Sequence, residues 1–146
     1  MITVELERVA GDYGFKALDA AGHTIQTDSS IENGGLGQGV RPMQTLLMAL
    51  GGCSGIDIVS ILKKQRQVID DFKIKISGER EADKEPSLWK HIEVEFYLTG
   101  TIDKEKAERA CALSIEKYCS VAETLRRAGA TITWRVTVNA SKINNT

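Results

Sequence analysis

The chain opens on a period of two. Ile2, Val4 and Leu6 alternate with Thr3, Glu5 and Glu7, the pattern of a half-buried strand. Gly11-Asp12 reads as a turn, and residues 15–19 as the returning strand. Ala21-Gly22 marks a second turn before a third predicted strand over 23–28. The period then changes. Pro42 stands where a helix would start, because proline suits the first helical position. Leu46, Leu47, Leu50, Ile58, Ile61 and Leu62 recur at helical spacing through Lys64. Alternation returns over 68–77, with Phe72, Ile74 and Ile76 on one face. It returns again over 91–98, with Ile92, Val94, Phe96 and Leu98. These read as neighbouring strands, joined by a charged, solvated loop over 79–87. Asp103 is an N-cap residue type for a helix over 104–116, although Lys106 stands where a capping box needs glutamate. A short helix over 120–127 ends at Gly129, and 131–138 is the last predicted strand.

The order βββ, long helix, ββ, two helices, β predicts an α+β fold. Residues 1–141 read as a single domain without repeats or linkers, and 142–146 as a frayed tail. Gly51, Gly52 and Gly55 lie inside the long helix. Each costs about 1 kcal/mol relative to alanine, so they predict close approach of a second helix or a partner subunit. The alternative is a helix break at Gly51-Gly52. The run Asn33-Gly34-Gly35-Leu36-Gly37-Gln38-Gly39 predicts a mobile surface loop. It is not a phosphate cradle: it lacks a Gly-Lys-Ser/Thr ending, and Val40 stands where a dinucleotide fingerprint needs its third glycine.

Composition narrows the function classes. The chain has 146 residues, 42% hydrophobic and 27% charged, with a net charge of −1. No basic face speaks for nucleic acid or an anionic membrane. The apolar run over 45–62 is interrupted by Gly51, Gly52, Gly55 and Asp57, so no membrane span is expected. The first residues do not read as a signal peptide, which sets a cytoplasmic, reducing location as the expectation. Three cysteines do not make a secreted disulfide framework, so any disulfide should be transient.

The chemistry on offer rests on the cysteines. His23 and His91 have no partner at metal-ligand spacing and no Cys-x-x-Cys occurs, so neither metal nor cofactor is expected. A hydrolase would need the fold to bring a histidine to Cys53. Cys111, between Ala110 and Ala112, reads as a buried, inert thiol. Cys53 is flanked by Gly51-Gly52 and Ser54-Gly55, so little bulk shields its sulfur. Cys119 stands at a helix start, where free N–H groups favour a thiolate. Asp57, one turn beyond Cys53, would disfavour one. Arg41 is the closest upstream cation. On the residues alone, Cys53 and Cys119 are either a redox dithiol or two small hydrophobes.

The run from Arg41-Pro42-Met43 through Leu50-Gly51-Gly52-Cys53-Ser54-Gly55-Ile56-Asp57 to Leu62 resembles the cysteine helix of the OsmC/Ohr family, the osmotically inducible and organic hydroperoxide resistance proteins. Cys119-Ser120-Val121-Ala122 resembles its second cysteine motif, and the likeness covers roughly residues 1–140. The resemblance implies an intertwined homodimer, with antiparallel sheets around two central helices and active sites at the interface. It implies a thiol peroxidase in which Cys53 attacks an organic hydroperoxide, Cys119 resolves the sulfenic acid, and a dithiol reductant resets the pair. One departure stands out: peroxidase members carry glutamate after the helix-starting proline, where this chain has Met43. Arg41, and after it Arg8, is the expected cation beside Cys53. The rival expectation is a small-ligand-binding or redox-sensing protein on the same fold. A purely structural dimer would explain neither cysteine motif.

Overall fold

Turn chemistry and alternation build the first elements of the computed structural model, which describes residues 1–140. The tail over 142–146 lies outside the described residues. Strands β1 (Glu5–Ala10), β2 (Gly14–Leu18) and β3 (Thr24–Thr27) form an antiparallel sheet in that order. The first strand starts later than its alternation suggests. Within one chain Ile2, Val4 and Leu6 are 94%, 61% and 57% exposed, so that apolar face is not half-buried.

The glycine-rich stretch is also more organised than a mobile loop. It makes a 3₁₀ turn at Ile31–Asn33 and wraps the buried carboxylate of Asp28. Asp28 Oδ1 accepts from the Ser29 N–H and Oδ2 from the Leu36 N–H. A side chain at Gly35 would sit 2.0 Å from the Ser29 carbonyl oxygen, so this glycine serves close backbone packing. These elements belong to the first of two compact units, Met1–Leu46; the second is Leu47–Thr146.

Helix α1 (Pro42–Lys64) runs unbroken through Gly51-Gly52. By length and composition it could cross a membrane. In the fold, however, Leu50, Ser54, Ile58 and Leu62 form one fully buried stripe at i, i+4 spacing. That stripe packs with a second sheet and two further helices. The sheet has the order β4-β5-β6, from β4 (Val68–Arg80), β5 (Trp89–Thr101) and β6 (Thr131–Val138). β4 and β5 are antiparallel; β5 and β6 are parallel. The hairpin extends further into the charged segment than the alternation showed, pairing Glu79 with His91 and Arg80 with Trp89.

The central strand β5 buries Ile92, Val94, Phe96 and Leu98. Each such side chain contributes about 1.5–3 kcal/mol relative to leaving it in water. Helix α2 (Lys104–Leu113) adds Ala107, Ala110 and Cys111, and α3 (Ser120–Arg127) adds Ala122 and Leu125. Asp103 caps α2 by accepting from the Lys106 N–H at 3.0 Å. The predicted helix over 104–116 is not α-helical to its end. A π turn at Ser114–Tyr118 follows α2 and leads into Cys119.

Two of the three helix glycines face the sheet instead of a second helix. A Cβ on Gly51 would meet Ile76 Cδ1 at 3.1 Å, and one on Gly55 would meet Ile74 Cδ1 at 3.1 Å. Gly52 points into open space within the chain.

Candidate active site

Cys53 and Asp57 are four residues apart on α1, so they rise from the same helix face. Cys119 is the N-cap of α3. The two Sγ atoms and one carboxylate oxygen of Asp57 lie within 4.8 Å of one another. Cys53 and Asp57 are half-buried, whereas Cys119 is only 2% exposed. The fold therefore joins two cysteines that the sequence separates by most of the second unit.

The π turn sets the approach of Cys119. A π turn holds one residue more than an α turn and is often found at functional sites. Here the Cys119 N–H donates to the Ser114 carbonyl at 2.7 Å, closing the wider ring. At the other end of that turn, the Ser114 hydroxyl donates to Asp57 Oδ2 at 3.0 Å. Ser114 is fully buried. One turn thus both places the second sulfur and anchors the carboxylate beside it.

Burial pushes the Cys119 thiol up from an ordinary 9.0 to about 11. The Ala122 N–H donates to its Sγ at 3.4 Å and opposes that rise, as expected at a helix start. Hydrogen bonding and charge at neighbouring Cys53 push it further up. Cys119 therefore holds its proton at neutral pH. Cys111 lies in the core, where burial first and the Glu108 carboxylate second push its thiol up to about 12. It is a buried packing residue, as its alanine neighbours suggested.

Among the described residues Asp57 makes no ion pair. Arg41 lies just before α1 in the first unit, with its side chain exposed. Beside the site, a cleft of ≈ 490 Å³ is bordered by Asp57, Ser60 and Lys64 of α1 and by Leu113 and Tyr118. A second, open apolar groove of ≈ 470 Å³ runs along Gly52, Ile56 and Val59. Sequence reasoning missed Ser114 and the π turn. It noted Asp57 only as an unfavourable charge; its i, i+4 spacing from Cys53 was the available signal.

Comparison with known proteins identifies relatives of the chain. A family model described as OsmC-like protein matches residues 35–135. The chain is 45% identical over 115 residues to Protein YhfA of Escherichia coli K12, covering 78% of this chain and 82% of that one. A hypothetical protein from Aquifex aeolicus has a similar structure, with a TM-score of 0.78, 33% identity and coverage of 96% and 98%. An organic hydroperoxide resistance protein OsmC from Legionella pneumophila shares the fold at a TM-score of 0.68 and 16% identity, over 96% of this chain and 97% of its own. The α+β architecture expected from the sequence is thus that of OsmC and Ohr proteins, and the chain belongs to the OsmC-like family.

Proposed function

We propose that the chain is a cytoplasmic thiol peroxidase that reduces organic hydroperoxides through Cys53 and Cys119. The observation that carries this reading is the approach of the two sulfurs to within 4.8 Å, with only one of them accessible. Half-exposed Cys53 is the sulfur a peroxide can reach; buried Cys119 is the one that waits.

In the first step the Cys53 thiolate attacks the hydroperoxide, ROOH. The O–O bond breaks, an S–O bond forms, and a proton from solvent completes the alcohol ROH. Cys53 is oxidised to a sulfenic acid. The Cys119 sulfur then displaces the hydroxyl as its own proton leaves, giving a disulfide and one water. A dithiol reductant exchanges with that disulfide and restores both thiols. The sulfurs must close to about 2 Å for the bridge, a short movement from their present separation.

The assembly belongs to the same reading. Ile56 is 71% and Met48 55% exposed on α1, Leu6 is exposed on β1, and Val4 is exposed just before that strand. Exposed apolar side chains of this kind call for a partner, and an intertwined homodimer would cover them. The cation that lowers the cost of a Cys53 thiolate is then Arg41, with Arg8 second. Met43 in place of the family glutamate leaves that arginine without its usual clamp.

The test is single-turnover consumption of cumene hydroperoxide by the reduced protein, followed by mass spectrometry. A Cys53–Cys119 disulfide should form with one equivalent of oxidant, and Cys53→Ser should consume none. Equal consumption by wild type and Cys53→Ser would sink the enzyme reading in favour of a ligand-binding protein.

A further inference from the structure

We infer that Cys53, Cys119 and Asp57 together bind a single zinc-class divalent cation when the thiols are reduced. The ligand set is two sulfurs and a carboxylate oxygen, all within 4.8 Å of one another. Tetrahedral zinc with Zn–S bonds of about 2.3 Å holds its sulfurs about 3.8 Å apart. The two sulfurs need to close by roughly 1 Å at most to meet that spacing.

The surroundings point the same way. Metal-binding carboxylates are usually held by a hydrogen bond from an outer residue. The buried Ser114 hydroxyl supplies one to Asp57 Oδ2 at 3.0 Å. No lysine, arginine or histidine among the described residues pairs with Asp57. Reduced and ionised, the cluster would gather up to three negative charges, which a divalent cation neutralises. Asp57 also borders the ≈ 490 Å³ cleft, giving an ion an entry path and leaving room for a water as fourth ligand. Sequence spacing conceals such a site. Its ligands come from one helix turn and a remote N-cap, with neither a Cys-x-x-Cys nor a histidine pair.

The binding step balances simply. Two S–H protons leave for solvent as two S–Zn bonds form, and no electrons move. Oxidation of the pair to a disulfide removes both thiolate ligands, so the metal leaves. Metal and oxidant therefore compete for the same sulfurs. The site is independent of peroxide turnover: a protein that consumes no hydroperoxide can still bind zinc here.

The experiment titrates the reduced full-length protein, without oxygen, with cobalt(II) as an optical probe. Zinc affinity follows from competition with a chromophoric chelator. The expected result is one cobalt per chain with thiolate-to-metal charge-transfer absorption, lost on adding the thiol oxidant diamide. Cys53→Ser and Cys119→Ser should each remove tight binding. Ser114→Ala should weaken zinc affinity about 10- to 100-fold, and Asp57→Asn at least as much. Absence of the charge-transfer band, or zinc affinity unchanged in Asp57→Asn, overturns the site. If circular dichroism shows Asp57→Asn unfolded, Ser114→Ala decides: unchanged zinc affinity in that variant overturns the proposal.

Discussion

The Ser114 hydroxyl reaches across 57 residues of sequence to donate to Asp57 Oδ2 at 3.0 Å. It also approaches the Ser54 carbonyl at 3.4 Å. Ser114→Ala removes the donor and leaves a half-buried carboxylate short of a partner. The expected loss is about 1–3 kcal/mol of stability, read as a lower denaturation midpoint with an unchanged m-value. A midpoint equal to wild type would show that water replaces the hydroxyl.

Gly51 and Gly52 are neighbours with opposite surroundings. A side chain at Gly51 meets Ile76, whereas one at Gly52 meets nothing in its own chain. Gly51→Leu should destabilise the fold by about 1–3 kcal/mol through overpacking against β4. Gly52→Leu should leave the chain folded but weaken the proposed dimer by a similar energy, roughly 5- to 150-fold in dissociation constant. Sedimentation at several concentrations separates the two effects. Unaltered dimerisation of Gly52→Leu would place the interface elsewhere.

Cys119→Ser removes the proposed resolving thiol but leaves the accessible one. It should show one fast turnover with an organic hydroperoxide and then stall as a Cys53 sulfenic acid, trappable by dimedone. Arg41→Met should slow that first turnover by about 10-fold or more, since an adjacent cation is what favours a thiolate. If the rate is unaffected by Arg41→Met and falls with Arg8→Met, the supporting cation is Arg8.

The thiol at Cys111 gives a pH dependence with a definite sign. Its folded value is raised from 9.0 to about 12. Below pH 9 both the folded and unfolded chains keep the proton, and the favourable burial is fully present. Between about 9 and 12 the unfolded chain loses the proton first, so stability falls with rising pH, by up to about 1.4 kcal/mol per unit. Cys111→Ala should flatten this decline relative to wild type in denaturant titrations. An identical slope in both proteins would mean that Cys111 ionises in the folded state as readily as in the unfolded one.

The core was legible in the sequence because burial follows period. Leu50, Ile58 and Leu62 on α1, and Ile92, Val94, Phe96 and Leu98 on β5, occupy the predicted faces. The alternation of Ile2, Val4 and Leu6 did not become burial: all three are exposed within the chain and β1 begins only at Glu5, because a pattern of apolar positions does not say whether anything packs on them. Asp28 was unreadable for a different reason. Its partners are backbone N–H groups of Ser29 and Leu36, which every residue offers. In the candidate site, the cysteines and Asp57 were visible as residue types. The approach of the two cysteines followed from the family resemblance; the residues alone left it open, because it depends on a turn whose local sequence, Ser114 to Tyr118, looks like ordinary helix.

That π turn makes the alignment of the two sulfurs a matter of counting. A π turn differs from an α turn by a single residue, and each helical residue advances the chain by about 100° around the axis. Wound as regular α-helix, the same residues would close their turn at Tyr118 and carry the second sulfur about a quarter turn further round, away from Cys53. Deleting one residue between Ser114 and Cys119 would instead let Cys119 close an ordinary α turn on the same carbonyl and keep its bearing. In this fold the extra residue and the wider turn offset each other, so the winding of a few residues governs the meeting of the thiols while the hydrophobic packing of α2 is untouched.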